Sequence, residues 1–362
     1  MKVVLGTAVV TALLGGCSIE TAPPSVAVPT AAPSSAPSAS IRSASVEPTT
    51  GPSPSSVATE PSFEVATFAV PAGSHPHDVA PALDGGVWYT AQGSGELGWL
   101  DPASGEVREI PLGAGSAPHG VIVGEDGAPW ITDGGLNAIV RVDPASLAVE
   151  VFPLPASVPN ANLNTAAFDG AGQLWFTGQA GFYGRLDPAT GAIEVFPAPR
   201  GQGPYGITAT PKGEIYFSSL AGSYLGVVDP VSGEVRVIDP PTAGAGLRRA
   251  WSDSAGRIWV SEWFAGQVGV YDPEGDAWQE WPLPGDAPQA YAVFVDDTDA
   301  VWLTDFAANA IVRFDPDTES FTSFPAESQP AEIRQLHGRS GEVWGAASAA
   351  DRLIMVSAES DP

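Results

Sequence analysis

One short unit recurs seven times along this chain, and the repetition limits the fold more than any other feature. Each unit is marked by one aromatic residue, and the separations are 42, 45, 41, 43, 43 and 42 residues. These residues are Trp88, Trp130, Trp175, Tyr216, Trp259, Trp302 and Trp344. Each unit holds four short runs of alternating apolar and polar residues, which is typical of half-buried strands. The pattern predicts an all-β fold, a seven-bladed β-propeller with four strands per blade.

The two ends of the repeat array predict how the ring closes. The seventh unit has only its first three strands, around the segments RQLHG, EVWGA and RLIMVS. The missing outer strand is present at the start of the array, as Phe63–Val70. We therefore expect the N-terminal strand to pair into the last blade, which removes exposed sheet edges. A solenoid built from the same repeat is the alternative, and it would leave the divided unit unexplained.

The residues before the repeats have the features of an export signal. An apolar stretch, Val3–Leu14, follows a lysine, which is typical of a secretory signal peptide over residues 1–16. The LGGC segment that ends at Cys17 resembles the lipobox of bacterial lipoproteins. This resemblance implies a lipidated Cys17 that anchors an extracytoplasmic protein to the cell membrane; an ordinary secretory signal is the alternative. Residues 17–62 are rich in Pro, Ala, Ser and Thr and predict a disordered tether before the propeller, 63–362.

Charge and cysteine content exclude several classes of function. The formal net charge is −27, with 15 basic and 42 acidic residues. Such a surface is unsuited to nucleic acid, which needs a basic face, and it favours a soluble monomer. We expect membrane contact through the lipid anchor alone. Because the chain has one cysteine, Cys17, the folded domain has neither a disulfide nor a thiol nucleophile.

Two columns of the repeat are expected at the mouth of the propeller channel. The first strand of a blade lines the axis, and the second strand runs antiparallel beside it. The start of the first strand and the end of the second strand therefore lie on the same face of the propeller. The first column, eleven residues before each aromatic, is His77, His119, Asn164, Tyr205, Arg248, Tyr291 and then Ile333 or Arg334. The second column, three residues after it, is Ala91, Asp133, Gly178, Ser219, Glu262, Asp305 and Ala347. Both columns are polar or small and vary between blades, which predicts a ligand-binding or catalytic surface.

Adjacent arginines stand out in so acidic a chain. Arg248 and Arg249 are expected at the mouth, close to Glu262, as a basic island facing a docked ligand. Guanidinium groups match carboxylates in geometry and charge. We therefore expect a small anionic ligand, with Asn164, Tyr205 and Arg334 contributing contacts.

Several motifs resemble those of streptogramin B lyases, also called virginiamycin B lyases. They are PHDV (76–79), PHGV (118–121), WFTG (175–178), GPYGI (203–207), WVSEW (259–263) and ANAIVRFDP (308–316). The resemblance covers essentially the whole folded part. It implies a seven-bladed propeller that opens a cyclic ester by elimination, with a histidine as general base. It also implies Mg²⁺, held by carboxylates, as the group that polarises the ester.

The resemblance places this site in the later blades. WVSEW retains an acidic residue, Glu262, but Arg248 occupies the column where the family has a histidine. The next blade has Tyr291 in that column and Asp305 as its trailing acid. A shift by one blade offers Arg334 instead. The resemblance thus implies catalytic positions at Arg248 and Tyr291, with Glu262 and Asp305 as metal ligands, although an arginine stays protonated and cannot be a base.

The first two blades offer a second arrangement. His77 and His119 occupy the same column in neighbouring blades, His75 lies close by, and Asp133 is the trailing carboxylate. Such a set could bind a divalent transition metal or supply an acid and a base. Alternatively, each histidine caps a strand end by bonding to backbone.

The sequence is compatible with two functions. A metal-dependent carbon–oxygen lyase acting on a cyclic ester predicts a metal near the mouth carboxylates and a histidine within reach of it. A non-enzymatic protein that binds an anionic small molecule or a protein partner predicts arginines already neutralised by Glu262 or Asp305.

Overall fold

A computed structural model describes residues 62–358 and confirms the predicted propeller. The predicted signal peptide, Cys17 and all of the tether except its last residue lie outside the described residues. None of the helical segments within 62–358 is long and apolar enough to cross a membrane.

The described strands form seven four-stranded antiparallel sheets, and each sheet is one blade. The first strand of the described part is β1 (Phe63–Ala69). Blade 1 contains β2 (Pro76–Pro81), β3 (Val87–Ala91), β4 (Glu96–Leu100) and β5 (Val107–Pro111). Blade 2 contains β6 (Pro118–Val123), β7 (Pro129–Asp133), β8 (Ala138–Val142) and β9 (Val149–Pro153). Blade 3 contains β10 (Leu163–Phe168), β11 (Leu174–Gly178), β12 (Phe182–Leu186) and β13 (Ile193–Pro197).

The remaining blades repeat this order. Blade 4 contains β14 (Pro204–Ala209), β15 (Ile215–Ser219), β16 (Tyr224–Val228) and β17 (Val235–Ile238). Blade 5 contains β18 (Leu247–Ser252), β19 (Ile258–Glu262), β20 (Gln267–Asp272) and β21 (Ala277–Pro282). Blade 6 contains β22 (Ala290–Val295), β23 (Val301–Asp305), β24 (Ala310–Asp315) and β25 (Ser320–Pro325). Blade 7 contains β26 (Ile333–Arg339), β27 (Glu342–Ala347), a 3-10 turn (Ser348–Ala350) and β28 (Arg352–Ala358).

Ring closure occurs as the sequence predicts. β1 pairs antiparallel with β28 in the last blade, from Phe63 opposite Ala358 to Ala69 opposite Arg352. Phe63 also packs edge-on against Trp302 of blade 6, with ring centroids 5.6 Å apart. The N-terminal strand therefore completes blade 7 and contacts its neighbour.

The hydrophobic core lies between adjacent blades. The repeated aromatic residue of each second strand is buried there, as Trp175, Trp259 and Trp344 show with no exposed surface. Some indole N–H groups are satisfied by a nearby carboxylate: Trp175 Nε1 donates to Asp169 Oδ2 at 2.8 Å. The tryptophan column is thus structural, since its rings fill the space between blades.

A β-bulge lies near the start of every inner strand. In blade 5, Leu247 pairs with Glu262 and Ala250 with Val260, so Arg248 and Arg249 share the bulge. The other six inner strands show the same register shift. A bulge re-aims side chains locally. It allows two consecutive residues of one inner strand to contact groups at the axis.

Hydroxyl groups connect these bulges from blade to blade. In blade 5, Ser261 Oγ accepts from the Arg249 amide at 3.0 Å and donates to the Tyr291 carbonyl at 2.7 Å. Equivalent hydroxyls bridge the preceding blades: Thr90, Thr132, Thr177 and Ser218. The main chain at the mouth is therefore held in place by the neighbouring blade.

Candidate functional site

Histidine and tyrosine side chains from four blades meet on the propeller axis. The rings of His77 and His119 lie with centroids 3.8 Å apart, and the His119 and Tyr205 rings are 5.9 Å apart. The phenol oxygens of Tyr205 and Tyr291 are 2.9 Å apart, and Tyr291 Oη lies 3.3 Å from His77 Nε2. Four members of the first predicted column, His77, His119, Tyr205 and Tyr291, therefore form one connected cluster, which we call the axial cluster.

Arginine side chains cover this cluster. The Arg248 guanidinium carbon lies 3.8 Å from the Tyr291 ring centroid and 4.8 Å from that of Trp263. One of its terminal nitrogens donates to Tyr205 Oη at 2.9 Å. Arg334 Cζ lies 5.9 Å from the same Tyr291 ring, which assigns Arg334 to the blade-7 position.

Two of the three axial arginines already have a carboxylate partner. Arg249 donates to both oxygens of Asp78, at 2.8 and 3.1 Å, and this pair is almost fully buried. Arg334 pairs with Glu332 at 2.9 Å. Among residues 62–358, no carboxylate lies within 4.0 Å of Arg248. Arg248 is therefore the axial cation without an acidic partner.

Asp133 and Asp305, both predicted as metal ligands, are engaged elsewhere. Asp133 accepts from Ser116 Oγ at 2.5 Å and from the Ala117 amide at 2.9 Å. Asp305 accepts from the amides of Gln289 and Ala307, each at 2.9 Å. Both aspartates cap the loop of their own blade, so neither faces the axis as a free ligand.

The expected proximity of Glu262 to the arginines is wrong. Glu262 Oε2 accepts from Gln267 Nε2 at 2.6 Å. The other carboxylate oxygen, Oε1, lies against Gly269, so close that a Cβ atom added to this glycine would be only 2.6 Å from it. Burial, together with Glu280, raises the pKa of Glu262 to about 8, although the Gln267 bond opposes the shift. Side chains alternate across a strand, so the residue after Ser261 points to the opposite face of blade 5.

The axial residues do not fit Mg²⁺. In the described part of the chain, only His77, Asp78 and His119 bring three ligand atoms within 4.8 Å of one another. Both nitrogens of His77 are engaged, by Asp78 Oδ1 at 2.8 Å and by Tyr291. Both oxygens of Asp78 are held by Arg249. Mg²⁺ requires several oxygen ligands, and neighbouring guanidinium groups repel a cation.

Both axial histidines are neutral in this environment. Burial and the neighbouring arginines hold the pKa of His77 well below its ordinary range. Burial and His77 do the same to the pKa of His119. His119 Nδ1 lies 3.0 Å from the Asn164 carbonyl oxygen, so it must carry the proton. Its Nε2 is then unprotonated and presents a lone pair. The half-buried His119 ring also bonds to backbone, as one of the two alternatives predicted.

Arginine charge dominates the ionisation of Tyr291. Burial alone would raise the pKa of its phenol, but Arg248, Arg334 and Arg249 outweigh burial and lower it to about 7. Burial raises the pKa of Tyr205, so that phenol stays protonated. The two tyrosines share a hydrogen bond, yet their pKa values are shifted in opposite directions.

Buried polar atoms without a partner concentrate at the axis. Among the described residues they include Asn164 Oδ1, Gln335 Oε1 and the Nε atoms of Arg248, Arg249 and Arg334. A cavity of about 30 Å³ lies beside Asp78 and Arg249, with room for roughly one water molecule. The axial cluster thus has unused hydrogen-bonding capacity.

Sequence reasoning missed Asp78, although a signal was present. Asp78 and Arg249 occupy the same register position, the second bulge residue, in blades 1 and 5. Because the ring is closed, side chains at the same repeat position approach one another at the axis, even when the residues are far apart along the chain. Two opposite charges at that position can therefore form an ion pair. That column predicts the Asp78–Arg249 pair once the bulge is known.

Comparisons with known proteins agree with this architecture. Residues 55–277, more than half of the chain, match the model of the virginiamycin B lyase family. A virginiamycin B lyase structure from Staphylococcus aureus is 19% identical with a TM-score of 0.76, covering 82% of this chain and 100% of that one. A streptogramin B lyase structure is 22% identical with a TM-score of 0.75, covering 82% and 98%. These structural likenesses establish the fold.

Two further findings complete the comparison. An inactive virginiamycin B lyase from Staphylococcus aureus, solved with quinupristin, is 19% identical with a TM-score of 0.75, covering 82% of this chain and 100% of that one. No match was found among the curated proteins compared.

Proposed function

The chain belongs to the virginiamycin B lyase family, and we propose that its axial opening binds a small molecule carrying a carboxylate. We further propose that it does so as an extracytoplasmic lipoprotein anchored through Cys17. The observation that carries the proposal is Arg248, a half-buried guanidinium at the axis without a carboxylate partner among the described residues. A desolvated charge without a partner is costly, and a bound anion removes that cost.

The surroundings of Arg248 favour an organic anion. Trp263 and Phe306 pack edge to face beside Tyr291, with ring centroids 5.4 Å apart. Arg334 and His119, which belong to the same repeat column, are also half-buried. A carboxylate on Arg248 would place the rest of the ligand against these aromatic faces. Guanidinium and carboxylate form strong charge-assisted hydrogen bonds.

Calorimetry with benzoate and its neutral analogue benzamide tests this function. We expect the full chain to bind benzoate and to bind benzamide much more weakly. Arg248→Gln should weaken benzoate binding at least about tenfold, the loss of one charged hydrogen bond. Arg236→Gln, at an exposed position in blade 4, is the matched control and should bind as the parent does. Equal affinity for benzoate and benzamide, or no effect of Arg248→Gln, would overturn the proposal.

Elimination chemistry is a second candidate, favoured by the unprotonated Nε2 of His119. In that reaction the base takes a proton from the carbon beside an ester or carboxylate carbonyl, a C=C bond forms, and the C–O bond to the leaving oxygen breaks. Arg248 would stabilise the enolate that develops. The observation is weaker than for binding, because burial leaves His119 a weak base.

Quinupristin is a direct probe of that second candidate. Ring opening by elimination leaves the mass unchanged, whereas hydrolysis adds one water molecule, so chromatography with mass detection separates the two. We expect any elimination product to disappear with His119→Ala and to persist with His75→Ala. If quinupristin stays intact while benzoate still binds, elimination is excluded and binding is the function that remains.

A further inference from the structure

The Tyr291 ring lies directly against the guanidinium of Arg248, which has no carboxylate partner among the described residues. The Arg248 guanidinium lies over the Tyr291 ring, and its nitrogen reaches Tyr205 Oη, which in turn bonds Tyr291 Oη. Tyr291 is only 1% exposed. Its phenol oxygen therefore interacts with protein groups and has almost no access to solvent.

Every charged or titratable group facing Tyr291 comes from an inner strand. β18 contributes Arg248 and Arg249, β26 contributes Arg334, β14 contributes Tyr205, and β2 contributes His77. Trp263 and Phe306 complete its surroundings as apolar neighbours. The histidine is neutral, and the carboxylate that it contacts, that of Asp78, is held by Arg249. The net local charge around the phenol is positive.

We propose that Tyr291 is the internal counter-charge of Arg248, and that an anion bound at the opening replaces it, so that anion binding takes up one proton. This inference rests on the anion binding proposed above. In the empty site the phenolate would compensate Arg248. In the occupied site the ligand's negative charge would do so, and the phenolate would regain a proton from solvent. One O–H bond forms, and no oxidation or reduction takes place.

The sign of the pH dependence follows from this exchange. Because the arginines lower the pKa of Tyr291 to about 7, the phenol is protonated below that pH and the anion binds without proton exchange. Above it, binding requires proton uptake, so the Kd should rise by up to about tenfold per pH unit. The affinity is therefore constant in mild acid and falls in mild alkali.

Proton counting by calorimetry tests this coupling. Benzoate is titrated into the full chain in buffers of different ionisation enthalpy, at about pH 6 and about pH 8.5. We expect almost no proton uptake at the lower pH and close to one proton per benzoate at the higher. Tyr291→Phe should remove both the uptake and the pH dependence. Tyr183→Phe, whose hydroxyl bonds the Gly233 carbonyl away from the axis, should retain both.

Ultraviolet difference spectra of the unmodified chain provide a test that needs no variant. One tyrosinate signal should appear near neutral pH and disappear when benzoate is added. Benzoate binding without proton uptake, or an unchanged tyrosinate signal, would overturn the coupling and leave the binding function standing. Failure of benzoate to bind at either pH would overturn both.

Discussion

The guanidinium of Arg248 lies 3.8 Å from the centre of the Tyr291 ring, although the two residues belong to different blades. They occupy the same repeat position in blades 5 and 6, and the bulges at the start of β18 and β22 turn both toward the axis. A cation without a carboxylate therefore faces an ionisable phenol. This contact links the fold to the proposed anion site.

The buried ion pair of Arg249 and Asp78 should be a strong determinant of stability. Arg249→Met would leave Asp78 as an uncompensated buried charge, and we expect a loss of about 3–5 kcal/mol in the free energy of unfolding. The double variant Arg249→Met, Asp78→Leu removes both charges and should recover much of that loss. Urea unfolding measures both values. A double variant that is less stable than the single one would contradict the assignment.

Glu262 should make stability fall as the pH rises. Its folded pKa, about 8, is above its ordinary value of 4.5, so the folded state holds a proton that the unfolded state releases. The contribution is complete below about pH 4.5 and is lost as the pH rises through about 8, with a slope of at most about 1.4 kcal/mol per pH unit. Glu262→Gln should flatten this part of the stability curve. An identical pH profile for Glu262→Gln and the parent would contradict the shift.

The Ser261 hydroxyl should contribute both to the stability of the fold and to the affinity of the candidate site. Ser261→Ala removes the hydroxyl that bridges the Arg249 amide and the Tyr291 carbonyl, and we expect a loss of about 1–3 kcal/mol. Benzoate affinity should also fall, since Tyr291 loses its inter-blade support. Ser232→Ala, on an exposed turn, is the control and should change neither. Wild-type stability in Ser261→Ala would show that the bridge is unimportant.

Magnesium should leave the axial site unchanged. Because Asp78 is held by Arg249 and the neighbouring charges are positive, we expect neither MgCl₂ nor EDTA to alter the benzoate Kd or the melting temperature. Differential scanning calorimetry at constant ionic strength checks this. A rise in Tm with Mg²⁺ that Asp78→Asn abolishes would show that the ion does bind there.

Much of the architecture was predictable because the repeat is long and its aromatic position is regular. The spacing from Trp88 to Trp344 predicts seven blades, and the unpaired Phe63–Val70 predicts ring closure. The first column also predicts which side chains meet, because the same position of the repeat lies at the propeller axis in every blade.

The second column could not be placed from spacing alone. Glu262 follows Ser261, and successive side chains of a strand point to opposite faces. Ser261 reaches the following blade, whereas Glu262 bonds Gln267 and lies away from the arginines. The bulge was also hidden in the sequence, and it is the bulge that allows Arg249 to reach Asp78.

A crystal structure of the full chain with para-bromobenzoate tests the central claim most directly, because anomalous scattering from bromine locates the ligand without bias. We predict its carboxylate within hydrogen-bond distance of the Arg248 guanidinium, with the bromophenyl ring beside Trp263. Bromine density elsewhere, with Arg248 still covering Tyr291 and no anion beside it, would contradict the assignment of the axial opening as the binding site.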